Sequence, residues 1–233
     1  MPTLLLFPSL THAQWPAGSE VVQTVHNLSR TAQVSPMSGF IANYGQACVY
    51  CHGPHGTQGN RPLWNRQLPT GPYRMYESNT LDMIIDAQPT STTRLCLSCH
   101  DGTVPLDRIT DKPRGYETVG GNGETIKLCA TDCHKGGDPK GGFNWEHVWF
   151  EPDLRKHHPV SIAYDPTRDR TFTPVSFVEA AGLRLVDGKV ECITCHEPHS
   201  QQYQPFLRRS NATGSLCSAC HTGATGRSTA HFW

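Results

Sequence analysis

Ten cysteines fall into five close pairs, and a histidine follows the second cysteine of every pair. In chain order, sites one to five are Cys48/Cys51–His52, Cys96/Cys99–His100, Cys129/Cys133–His134, Cys192/Cys195–His196 and Cys217/Cys220–His221. Four of them read C-x-x-C-H, and the third, C-A-T-D-C-H, carries one extra residue between its thiols. Composition alone predicts roughly 0.02 C-x-x-C-H matches in a chain of this length, so the spacing is not accidental. C-x-x-C-H is the attachment signature of c-type haem: two thiols bond the porphyrin edge and the histidine takes one axial position on the iron. Zinc binding and disulfide pairing are the competing uses of paired cysteines. Neither requires a histidine after every second cysteine. The expected cofactors are therefore five haem c groups.

Five proximal histidines leave His12, His26, His55, His147, His157, His158, His199 and His231. Neutral imidazole suits iron, and a second histidine closes a six-coordinate site that moves electrons and has no open position for substrate. With only four methionines in the chain, bis-histidine ligation is expected. The expected distal ligands are His26, His55, His147, His158 and His199. His55 and His199 each follow a motif histidine in the pattern C-H-x-P-H. The proline stiffens the backbone and points the second histidine away from its own haem. His199 is thus expected to reach the haem at Cys217/Cys220, and His55 the haem at Cys96/Cys99. His147, between Trp145 and Trp149, is expected to serve the third haem, with core packing as its other use. His158 is preferred over its neighbour His157. His26 is the fifth, leaving the distal ligand of site one as the open end of the set.

The elements that must hold these groups are short. Hydrophobic residues make up 36% of the chain, against 21 glycines and 18 prolines, a thin apolar supply for a core of this length. Porphyrin faces offer apolar surface that side chains bury in place of one another. The expected fold is mostly irregular coil with short α-helices and a small β-hairpin at about 182–193, wrapped around a covalent haem stack. Asp187-Gly188 supplies the hairpin turn. Thr80–Ala87 is expected to form one or two helical turns ending before Pro89. Residues 57–79, with Trp64, Tyr73 and Tyr76, read as a loop that packs aromatics on haem. Residues 14–233 are expected to form a single domain, with a possible internal linker at 135–144 (K-G-G-D-P-K-G-G-F-N).

Residues 1–13 read as the apolar end of a secretory signal, with a small-residue cleavage site near Ala13. Export fits covalent haem attachment, which takes place outside the cytoplasmic membrane, and points to an extracellular or cell-surface protein, or else a periplasmic one. No other segment has the apolar length to span a membrane. Twenty basic residues balance twenty acidic ones, which gives no sign of nucleic-acid binding.

The chain resembles the doubled C-x-x-C-H family of multihaem c-type cytochromes. The resemblance rests on H-N-L-S at 26–29, C-V-Y-C-H-G-P-H-G at 48–56, L-C-L-S-C-H-D-G-T at 95–103, H-P-V-S at 158–161 and the stretch from Cys192 to His221. Within that family it is similar to extracellular tetrahaem cytochromes that polymerise into conductive filaments, and departs from them by the Cys129–His134 site. The resemblance implies electron transfer over long range and self-association in which a subunit lends a histidine to its neighbour; His26 or His231 would be the lent residue. Partners would be other redox proteins or extracellular electron acceptors. A discrete pentahaem electron carrier is the alternative. A multihaem oxidoreductase of the nitrite or hydroxylamine type would need an open iron, and all five motifs end in histidine, so the expected protein is not an enzyme.

Overall fold

The computed structural model describes residues 20–29, 41–53, 63–112 and 148–223. The possible signal at 1–13, the linker at 135–144, the third site (Cys129, Cys133, His134), His55, His147 and His231 lie outside the described residues.

Most of the described backbone is coil, as the composition implies. The longest helix, α1 (Ser91–His100), carries site two on its last turn. It starts just past Pro89, with extended Thr90 as its N-cap. Three shorter helices follow among the described residues: α2 (Val175–Ala180), α3 (Cys192–Cys195) and α4 (Ser215–Ser218). Single 3-10 turns occupy Glu20–Gln23, Cys48–Tyr50 and Leu154–Lys156. No helix among the described residues is long and apolar enough to cross a membrane.

The one sheet among the described residues pairs β1 (Ile162–Ala163) antiparallel with β2 (Lys189–Val190). The expected turn is present: Asp187 (φ 51°) and Gly188 (φ 71°) both take positive φ, and Val186 and Lys189 exchange both backbone hydrogen bonds. This is the type I′ geometry that matches strand twist. Its outgoing arm pairs with residues 162–163 and leads straight into Cys192.

Residues 80–87 correct an expectation, for they are not helical. Ile85 bridges Ile162, and Ala163 and Asp86 bond across to Ile84 and Ser161. Met83 is buried while Ile84 between its neighbours is 62% exposed, an alternation of period two that fits a strand and not a helix.

The apolar residues gather in three small clusters. The first holds Ile41, Tyr44, Val49, Tyr50, Leu106 and Ile109 beside site one. The second holds Met83, Ile162, Tyr164, Val178, Leu183 and Val190. Tyr73, Leu97 and Leu154 make the third, behind α1. Polar ties join them. Asn65, fully buried, donates to the Val49 and Asp111 carbonyls and accepts from the Asp111 amide. The Tyr73 hydroxyl donates to Asp101 at 2.5 Å.

Helix α2 ends in a Schellman motif: the Gly182 amide bonds Glu179 and the Leu183 amide bonds Val178, while Val178 and Leu183 pack in the second cluster. Gly182 has φ 84° with open space where a Cβ would stand. Gly182→Ala is therefore expected to cost about 1 kcal/mol through backbone strain alone, whereas Gly223→Ala, equally uncrowded and without positive φ, should stay within roughly 0.5 kcal/mol of the parent. Denaturant titration of the two variants checks the difference.

Candidate haem centre

Each described site is built on one helical turn. At sites one, four and five the motif histidine amide bonds the carbonyl of the first cysteine, at 2.8 Å for His52–Cys48, 3.0 Å for His196–Cys192 and 2.9 Å for His221–Cys217. At site two the same residues form the last turn of α1. A single turn closed in this way presents two thiols and an imidazole from one short piece of backbone. The eight described cysteines are free, with no disulfide. Among the described residues, no three His, Cys, Asp or Glu side chains converge as a metal-ion site would require.

Three close imidazole pairs occur among the described residues. Ring centroids lie 6.2 Å apart for His26–His100, 6.1 Å for His52–His199 and 6.4 Å for His158–His221. Two imidazoles on opposite sides of one metal, each bonded at about 2 Å, have ring centres about 6 Å apart. All three pairs meet that requirement. Each combines a motif histidine with a spare one. The second nitrogen is anchored as ligating histidines need: Nδ1 faces the carbonyl of Val148 for His100 (2.6 Å), of Pro205 for His196 (3.1 Å) and of Pro159 for His158 (2.9 Å). His199 Nδ1 lies 2.9 Å from Glu197 Oε1. A carbonyl or carboxylate only accepts, so these Nδ1 atoms carry the proton and Nε2 keeps its lone pair. His26 Nδ1 is buried with no such hydrogen bond.

Burial disfavours the charged form of these rings. It pushes His26 down to about 4, helped by the neighbouring His100. Burial likewise lowers His100, His158, His196 and His221, against the Val148, Pro159 and Pro205 carbonyls and Asp169 respectively, which pull the other way. These rings are neutral near pH 7, the state in which imidazole binds iron. The residues present thus fit haem c.

Four of the five expected attachment sites and three of the five expected distal histidines lie among the described residues, and the neighbours of those three differ from the ones expected. His199 does turn away from its own motif, but it meets His52 of site one and not the site at Cys217/Cys220. His158 takes the place opposite His221. His26, expected as a lent ligand or as the partner of site one, lies against His100 of its own chain, the position foreseen for His55. The cause is tertiary. Glu20 accepts from the Gln201 amide and donates its own amide to the His199 carbonyl, drawing the N-terminal segment across residues 197–201, and the His26 ring packs on Phe206 at 4.5 Å. His157 instead meets Phe150 edge-on at 4.8 Å. Among the described residues, no imidazole stands at the paired spacing from His196. Of the aromatics expected in the loop after site one, Trp64 is edge-on to His52 at 6.0 Å, while Tyr73 is committed to Asp101.

The sites form a row that sequence order does not reveal. Cys51 of site one is within electrostatic reach of Cys99 of site two. Cys96 of site two is in hydrogen-bond contact with Cys192 of site four, and α1 packs on α3 there. Cys195 of site four lies near Cys217 and Cys220 of site five. The order is one, two, four, five.

Comparison with known proteins agrees with this assignment for the C-terminal part. Residues 185–226, which carry sites four and five, match the family model of the doubled CXXCH motif. No curated protein matches the chain. The doubled motif indicates covalently bound haem c and supports haem-based electron transfer of the c-type cytochrome kind.

Proposed function

We propose that the chain is a pentahaem electron-transfer protein in which bis-histidine haems form a continuous row, and that it serves as the subunit of an extracellular cytochrome filament. The observation that carries the electron-transfer function is the set of three imidazole pairs at 6.1–6.4 Å, for a site closed on both faces passes electrons and leaves no position for substrate. The proposed role is electron carriage and not catalysis, since the three pairs would leave no iron face for substrate at their sites. The filament rests on the resemblance of the motif set. With His26 engaged inside the chain, His231 is the remaining candidate for the residue lent between subunits. A discrete extracellular or periplasmic carrier is the second possibility, favoured by the closure of three pairs within one chain.

In the reduced protein, carbon monoxide should leave the spectrum unchanged, because the proposal closes sites one, two and five with the three pairs above and sites three and four with spare histidines outside the described residues; a substantial high-spin, CO-reactive fraction would sink the proposal. His158→Ala and His26→Ala should each open one haem to carbon monoxide, read as one fifth of the total haem if all five sites are loaded. Electron microscopy of native material should show filaments. A homogeneous monomer whose haems are all six-coordinate from one chain would select the discrete carrier.

A further inference from the structure

Several charged side chains in the frame are paired: Arg155 with Asp153 at 2.6 Å, Lys189 with Asp86 at 2.6 Å and Arg208 with Glu197 at 3.0 Å. Three deeply buried ones, Arg66, Glu191 and Asp101, have no ionic partner among the described residues. Arg66 is 4% exposed, and its guanidinium donates only to neutral acceptors: the Ser98 hydroxyl and carbonyl and the carbonyls of Pro105 and Leu106. Glu191 is 2% exposed. Its carboxylate accepts from the hydroxyls of Thr90 (2.7 Å), Ser161 (3.1 Å) and Thr93. Three hydroxyl donors on two oxygens are the environment of the ionised, acceptor-only form.

Their positions along the row differ. Arg66 is lodged between sites one and two. The amide of its neighbour Asn65 bonds the Cys51 carbonyl at 2.8 Å, and its own Nη2 bonds Ser98, the residue before Cys99. Glu191 sits between sites two and four. It directly precedes Cys192, and its partner Thr93 lies 3.7 Å from the Cys192 sulfur and one turn before Cys96 on α1. Site two also has Asp101, 3% exposed and held by Tyr73 and Thr103. Asp107, near site one, is partly open to solvent and receives the Ala42 amide.

We infer that Arg66 and Glu191 grade the reduction potentials along the row, so that electrons move from site four through site two to rest on site one. Reduction adds one negative charge to a haem. An uncompensated buried cation favours that form and raises the potential; a buried anion disfavours it. Site one feels the cation, site four the anion, and site two both. Low dielectric around the two groups keeps their fields from being screened by salt. The fold thus gives the row a direction. This inference rests on haem occupancy of these sites as proposed above.

The test is a redox titration of the holoprotein, with low-spin haem content measured on the same samples. In the wild type, the haem of site one should be reduced before that of site four; the reverse order overturns the inference. Glu191→Gln should make the last-reduced haem easier to reduce by about tenfold in its equilibrium constant, about 59 mV for one electron. Arg66→Gln should make the first-reduced haem harder to reduce by a similar factor. Glu191→Asp and Arg66→Lys keep the charges and should stay near wild type. If removal of Arg66 abolishes folding, the Glu191 pair decides alone, and an unmoved potential in Glu191→Gln overturns the grading. A structural disturbance that merely admits water would move both ends in the same direction, which also overturns it. Absence of low-spin haem would overturn the proposed function as well, whereas intact low-spin spectra with unshifted potentials overturn only the grading.

Discussion

One backbone hydrogen bond, from the amide of each described motif histidine to the carbonyl of its first cysteine, sets the terms for the described frame. It closes a single turn and so brings two thiols and an imidazole together from five consecutive residues. Everything else in the frame places these turns against each other. A 3-10 turn suffices at site one and four-residue helices at sites four and five. Long regular elements are unnecessary, because the object to be positioned is small and preassembled.

The apolar supply reflects this division of labour. Three clusters, none larger than a handful of buried residues, stand beside the sites and not at the centre of the chain. Between them, fully satisfied polar groups do the joining: Asn65 pins the site-one turn to residue 111, Arg66 pins it to α1, and Glu191 pins α1 to the site-four turn. Such groups are specific in a way that apolar contacts are not, because a shifted register would leave buried donors or acceptors unpaired at a cost of roughly 1–3 kcal/mol each. A chain of coil keeps one arrangement by this means.

Much of the site was legible from residue types. Cysteine and histidine spacing is a local property, so all four described attachment turns stand where the motifs put them, and the Asp187-Gly188 turn follows from the positive φ that its geometry demands. The partners of the spare histidines were not legible. In C-H-E-P-H the proline sets the direction in which His199 leaves its motif, but its destination depends on Glu20, far away in sequence, which no local pattern encodes. Helix α2 went unread because its six residues show too little periodicity. Residues 80–87 were misread because L-D-M-I-I-D fits both a helical turn and a strand until the backbone of Ile162 is present to pair with it.

The crossing of the N-terminal segment over residues 197–201 has a consequence for biogenesis. His52, in the first motif to emerge, finds its counterpart His199 only near the end of the chain, and the Glu191 tie to α1 spans some ninety-eight residues. Contacts so distant in sequence form late, since loop-closure entropy must be met before they are rewarded. Each described attachment turn, by contrast, closes within five consecutive residues. The turn that a haem would bond is thus independent, in sequence terms, of the contacts that tie residue 20 to residues 199–201.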